Sequence, residues 1–328
     1  MRLMRLLSFR RKAFEIETYV KGQVECHSRE SGNPGISLHA LDLGSKSGMN
    51  DVQGRISMKI YRRLLVLGLI AAALLGLAVT PKGADDAKTG KFYVVEMYDF
   101  YFDPPGLLLQ PGDRVAWIML ADTLQDGHSA TAYHPANDKV LRIPDGAGAW
   151  STPLIKELFG WSEYTFQAVG VHDYFCIPHE TEGMVGRVIV SEATGPGADP
   201  SDNGISAAGK STIPTTDEIM GNGGLIFGAQ AEINTVVFQV RENTRQDARD
   251  ALAALVTEVN AGKGQSKTLY EALNKVDKLQ PFLDGLSALG DLLTASHPLA
   301  DINKKAEELK LLLDEAYQKL LATSGSGA

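Results

Sequence analysis

Between Lys91 and Ser191 the apolar residues gather in short runs, KFYVVEMY, DRVAWIML, EYTFQAVG, VHDYFC and MVGRVIV, all rich in β-branched and aromatic side chains. Turn-forming PPG, PGD and DG steps separate them. Short strands at this spacing predict a β-sandwich or barrel over 85–192. The pattern dissolves after that, where ATGPGADPSDNG predicts a linker over 193–213 by its composition. From 214 to 328 the period becomes helical. Ile226, Ile233, Val237 and Val240 recur on one face, and Leu252, Leu255, Val256 and Val259 follow on another. Ser266 is a candidate N-cap for a helix carrying Leu269, Leu273 and Val276, and Pro281 is expected to interrupt or restart it. A last helix from about Pro298 lines up Ile302, Leu309, Leu312, Leu313 and Leu320. One apolar stripe per helix requires burial, either in an antiparallel bundle or against a partner, which makes oligomerisation or docking a candidate role for this all-α domain.

The longest apolar run lies elsewhere, from Leu64 to Val79, directly after the basic Lys59, Arg62 and Arg63. That layout predicts a secretory signal over 58–84 opening at Met58, with Gly76-Leu77-Ala78 as a small-residue cleavage site. As a helix the run rises roughly 24 Å, short of the roughly 30 Å hydrocarbon core. An uncleaved membrane tether through 64–79 is the alternative. Residues 1–57 show no sustained period and are read as a doubtful or disordered lead. Everything after the signal is then expected to be periplasmic or otherwise extracytoplasmic.

Composition narrows the function classes. The 328 residues exceed one typical domain. A net charge of −8 with no lysine-arginine stripe excludes a nucleic-acid footprint. Of the two cysteines, Cys26 lies in the lead, so the exported part carries Cys176 alone and forms no internal disulfide. An unpaired thiol in an oxidising compartment is a liability unless something occupies it.

The loop CIPHETEGM, Cys176 to Met184, offers an occupant. Its spacing CxxHxxxxM sets a thiolate, an imidazole and a thioether in one turn. Soft sulfur with imidazole selects copper, and one thiolate, two histidines and a weak axial methionine make up the blue-copper electron-transfer set. The second histidine is sought in DTLQDGHSATAYHP, where His128 and His134 compete. Along an extended chain they stand roughly 20 Å apart, so both cannot reach one metal. His172 and His297 are read as a core or rim histidine and an exposed loop residue. The seven histidines form no HxH pair, and the loop has one cysteine, which argues against multicopper and binuclear copper enzymes. Pro178 fixes φ within the loop and removes one backbone donor. Gly170, Gly183 and Gly186 permit a tight path between strands. Glu180 and Glu182 read as a solvated acidic rim.

From Tyr93 to about Ser191 the chain resembles the cupredoxins of the plastocyanin and pseudoazurin type. FDPPGLLLQPGDRVAWI is similar to the family's opening strands, GHSATAYHP to its first ligand histidine, and YFCIPHETEGMVGRVIV to its ligand loop and final strand. The resemblance implies a mainly β Greek-key sandwich, one copper ion cycling between Cu(I) and Cu(II), and one-electron shuttling rather than enzyme catalysis. It also implies His128, Cys176 and His179 as the strong ligands and Met184 as the long axial one, with Ser129 beside the first histidine. The implied partner is a redox protein such as a cytochrome or a copper enzyme. The competing reading is an assembly or docking protein of the same fold, in which the helical domain binds a partner and copper is secondary.

Overall fold

The computed structural model describes residues 90–121, 126–199 and 203–324. The lead and the signal or anchor segment lie outside the described residues. Among those described, no helix is long and apolar enough to cross a membrane.

Among the described residues, eight strands form two four-stranded sheets. β1 (Phe92–Tyr98), β2 (Tyr101–Asp103), β4 (Arg114–Met119) and β6 (Trp161–Thr165) make the first, in the order β2-β1-β4-β6. β3 (Gly106–Leu109), β5 (Thr131–Ala132), β7 (Gly170–Phe175) and β8 (Val185–Val190) make the second, in the order β3-β8-β7-β5. β1 runs parallel to β4, and β3 parallel to β8, while β7 and β8 are antiparallel. Alternate residues of each strand meet between the sheets, among them Val95, Met97, Trp117, Tyr174 and Val188, all buried. This is the sandwich expected from the strand runs. Between His128 and His134 only Thr131–Ala132 forms a strand.

The runs read as nearly continuous apolar text because both faces of these strands are covered. β7 and β8 are buried along their whole length, as sheets flanked by helices must be. The cover is the C-terminal half: α1 (Ala207–Lys210), α2 (Thr216–Met220), α3 (Asn222–Arg241), α4 (Arg245–Ala261), α5 (Leu269–Lys275), α6 (Leu279–Thr294) and α7 (Leu299–Ser324). Val171 and Ile189 of the second sheet share one core with the stripes of α3, α4, α6 and α7. Val94, Ala116 and Ile118 of the first are capped by Phe238 of α3. Polar groups of α3 also reach the strands: Asn234 Nδ2 donates to the carbonyls of Val94 (3.3 Å) and Asp103 (3.2 Å), and Thr235 Oγ1, 2.9 Å from the Ala231 carbonyl of its own helix, lies 3.2 Å from that of Phe92. Thr268, two residues after Ser266, is the N-cap of α5, because its extended backbone aims the hydroxyl at the Glu271 amide. Pro281 falls in the first turn of α6, where its missing N–H has no helical partner to lose, so it restarts the helix.

Buried charge ties the layers together. Arg142 and Arg187 both pair with Asp173, through contacts of 2.7 Å each, and none of the three is more than 4% exposed. Further guanidinium nitrogens hold the backbone of the connecting segment: Arg142 Nη2 donates to the Gly197 carbonyl at 3.1 Å and Arg187 Nη1 to that of Pro214 at 2.9 Å. Between α7 and the first sheet, Lys310 contacts Glu96 (2.6 Å), Glu307 (3.1 Å) and Asp103 (3.2 Å).

Nearby, Asp314 accepts a hydrogen bond from Gln230 Nε2 at 2.7 Å, yet burial, reinforced by the Asp103 charge, pushes its carboxyl up to about 7. The folded state therefore binds this proton more tightly than the unfolded chain does. The group's contribution to stability is complete below the unfolded value, near 4, and is lost as pH rises towards 7. Asp314→Asn is expected to flatten the urea midpoint over that interval and to raise it at pH 8. A wild-type slope unaltered by the substitution would refute the assignment.

Candidate metal centre

Three separate elements bring donor atoms to one point. His128 is fixed by a two-way backbone bridge with Ile155, 2.8 Å in each direction. Cys176 directly follows β7, and the loop it opens closes on itself: the His179 amide donates to the Cys176 carbonyl (3.1 Å), the Met184 amide to that of His179 (3.1 Å), and the Cys176 amide to that of Met184 (3.0 Å). Pro178 sits where this scheme needs no donor. Gly183, at φ 95°, lets the chain turn back into β8.

The Cys176 sulfur lies 3.5 Å from His128 Nδ1 and 3.5 Å from His179 Nδ1, and the two Nδ1 atoms are 3.1 Å apart. Cys176 and His128 are fully buried and His179 is 5% exposed. Among the described residues this is the group of side chains able to hold a metal ion. Met184, also fully buried, shares the core cluster with Cys176 and is bound to the loop through its backbone. His134 is elsewhere, its Nδ1 accepting from the Ala136 amide at 3.0 Å. His172 bonds the Ala168 carbonyl at 2.8 Å, and His297 lies on the surface beside Asp301.

The donor set fits a cation. Atoms bonded to one ion at about 2.0–2.3 Å in near-tetrahedral array stand about 3.3–3.5 Å from each other, close to the separations seen. Burial, then the neighbouring His179, lowers the His128 pKa to about 4, so its imidazole is neutral and carries a lone pair. Burial pushes the Cys176 thiol up to about 11, against hydrogen bonds led by the Ser129 amide, which points at the sulfur from 3.4 Å. A proton must therefore leave the sulfur when metal enters. Ser129 ties the two halves of the site: its hydroxyl accepts from the Ile177 amide at 3.0 Å and from the Thr131 hydroxyl at 3.2 Å.

Other participants were not legible in the sequence. Glu180 is not a solvated rim acid: it is 8% exposed, and its carboxylate accepts from Tyr133 (2.7 Å) and pairs with Lys139. Glu182 is the exposed one. Phe100, from the β1–β2 turn, meets the His179 ring edge-on at 5.4 Å and is itself 43% exposed. A phenylalanine in a turn carries no signal of such a contact.

Residues 92–191 match the family of copper binding proteins described as plastocyanin/azurin. A plastocyanin from a Synechococcus species is 28% identical over 138 residues, which is 39% of this chain and 87% of that protein. Among solved structures, a pseudoazurin from Sinorhizobium meliltoi is 24% identical with a TM-score of 0.30, covering 41% of this chain and 99% of the other. A pseudoazurin from Methylobacterium extorquens is 22% identical with a TM-score of 0.30, covering 37% and 92%.

Proposed function

We propose that this chain, whose residues 92–191 are a cupredoxin domain taking one copper ion, carries single electrons between redox proteins outside the cytoplasm. The observation that carries the reading is the convergence of the Cys176 sulfur with the Nδ1 atoms of His128 and His179. Copper, when bound, supplies a one-electron couple. His128, Cys176 and His179 would be its strong ligands and Met184 the weak fourth.

The rest of the chain's task is to keep those ligands still. Rearrangement between oxidation states would slow transfer, and the backbone bonds across the loop, the Ser129 bridge and the packed core all oppose it. Burial excludes bulk water from the sulfur, while His179 lies closest to the surface. Export is supported by the basic-then-apolar stretch ending at Val79, with a tether through 64–79 as its variant. A cytochrome or copper enzyme is the partner class. The docking reading loses its motive, since the helical stripes that called for a partner are buried against the sandwich and one another.

The test is the absorption spectrum of the copper-loaded full chain, for which the intense thiolate-to-copper band of a blue site is expected. The full chain is required because α3 closes the core of the sandwich. His128→Ala should remove the band and His134→Ala should leave it. A colourless wild type, or the reverse outcome of the two variants, would overturn the reading.

A further inference from the structure

The segment after the family match, which composition marks as a linker, runs across the outside of the ligand loop. The Ser206 hydroxyl donates to the Glu180 carbonyl at 2.7 Å, and the Thr212 hydroxyl lies 2.7 Å from the Gly183 carbonyl, nearer than its alternatives in α1. Glu180 directly follows His179, and Gly183 directly precedes Met184. The two hydroxyls thus grip the loop just inside its last two ligands.

The grip has a firm base. Ile205 and Ile213 pack with Tyr133, Phe175 and Val185. Gly209 lies so near Val185 that a Cβ there would stand 3.0 Å from its methyl. Arg142 holds the segment upstream at Gly197 and Asp199, and Arg187 holds it downstream at Pro214. From below, Tyr133 and Lys139 fix the Glu180 side chain.

We infer that residues 205–213 are a brace that pre-orders the metal-ligand loop, with Ser206 and Thr212 as positioning residues for His179 and Met184. The inference rests on the copper reading of the site. A loop already held in its binding shape need not lose freedom when the metal enters, and that cost, when present, lowers apparent affinity. Groups that orient ligands are worth about 10–100-fold in metal affinity, and the brace, acting one residue removed, belongs near the lower end.

The experiment is competition for Cu(I) between the full chain and a chelator of known affinity, with the visible spectrum of the Cu(II) form recorded in parallel. Ser206→Ala/Thr212→Val is expected to weaken binding about tenfold and to shift the thiolate band. Ser206 also caps α1 by accepting from the Gly209 amide. Ser206→Asp separates the two roles, because a carboxylate caps well and cannot donate. It should lose affinity as alanine does, whereas Ser206→Thr should bind as wild type. Unchanged affinity and spectrum in the double variant, or full affinity in Ser206→Asp, overturns the brace. A wild type that takes no copper sinks the copper reading itself, and the brace with it.

Discussion

Cys176→Ser is expected to abolish the blue absorption of the copper-loaded chain outright while the sandwich stays folded. The colour of such a site belongs to the bond between copper and a thiolate, and Cys176 is the sole cysteine among the described residues. A serine oxygen is a harder donor and stays protonated, so copper affinity should fall with the colour. Folding should survive. The side chain is small, fully buried, and already faces the Ser129 amide, which a hydroxyl can accept from. The cost of placing a bonded hydroxyl there is about 1–2 kcal/mol. Copper titration followed by absorption, with far-ultraviolet circular dichroism as the folding control, checks both halves. A variant that kept an intense visible band would disprove the role given to the sulfur.

The second large effect lies away from the metal. Lys310→Met should destabilise the chain by about 3–5 kcal/mol, the usual result of removing one partner from a buried ion cluster. Lys310 is 2% exposed and lies between Glu96 of β1, Asp103 at the end of β2, and Glu307 one turn back on α7. Burial opposes its charge, but Glu307, Glu96 and Asp103 outweigh that and hold its pKa well above the ordinary lysine value. Methionine replaces the stem and not the charge, leaving acids that face each other without a cation. Urea denaturation measures the loss. Adding Glu96→Gln should recover part of it, since the two residues share one interaction. A loss below about 1 kcal/mol, or separate unfolding of sandwich and helices, would show that this cluster does not join the layers.

The same cluster explains one limit of the sequence. Glu96 and Lys310 are 214 positions apart, and nothing local distinguishes them from exposed members of a β-strand and a helix. The burial of Glu180 escapes the sequence for the same reason. Its partners Tyr133 and Lys139 come from a different part of the chain, and a glutamate next to a ligand histidine looks solvated until they arrive. Residues 193–213 have the Gly, Pro and Asp content of a free connector, but buried Arg142 holds its backbone and its own Ser206 and Thr212 hydroxyls reach the carbonyls of the ligand loop. Conversely, the sequence separates His128 from His134, because six extended residues cannot fold both imidazoles onto one sulfur, and His128 alone matches the position of the resembled family's ligand.

What the chain declared by itself were features set within a few residues. The CxxHxxxxM spacing fixes which donors one turn can gather, strand runs and helical stripes follow from backbone periods, and the Leu64–Val79 run stands out by hydropathy alone. Only the fold decided which distant groups become neighbours: His128 against Cys176, α3 over β1, Lys310 among three acids, Ser206 and Thr212 on the ligand loop. Periodicity and spacing are properties of the backbone over short distances. The pairing of buried charges and hydroxyls depends on which surfaces exclude water together, and that is settled when the layers close.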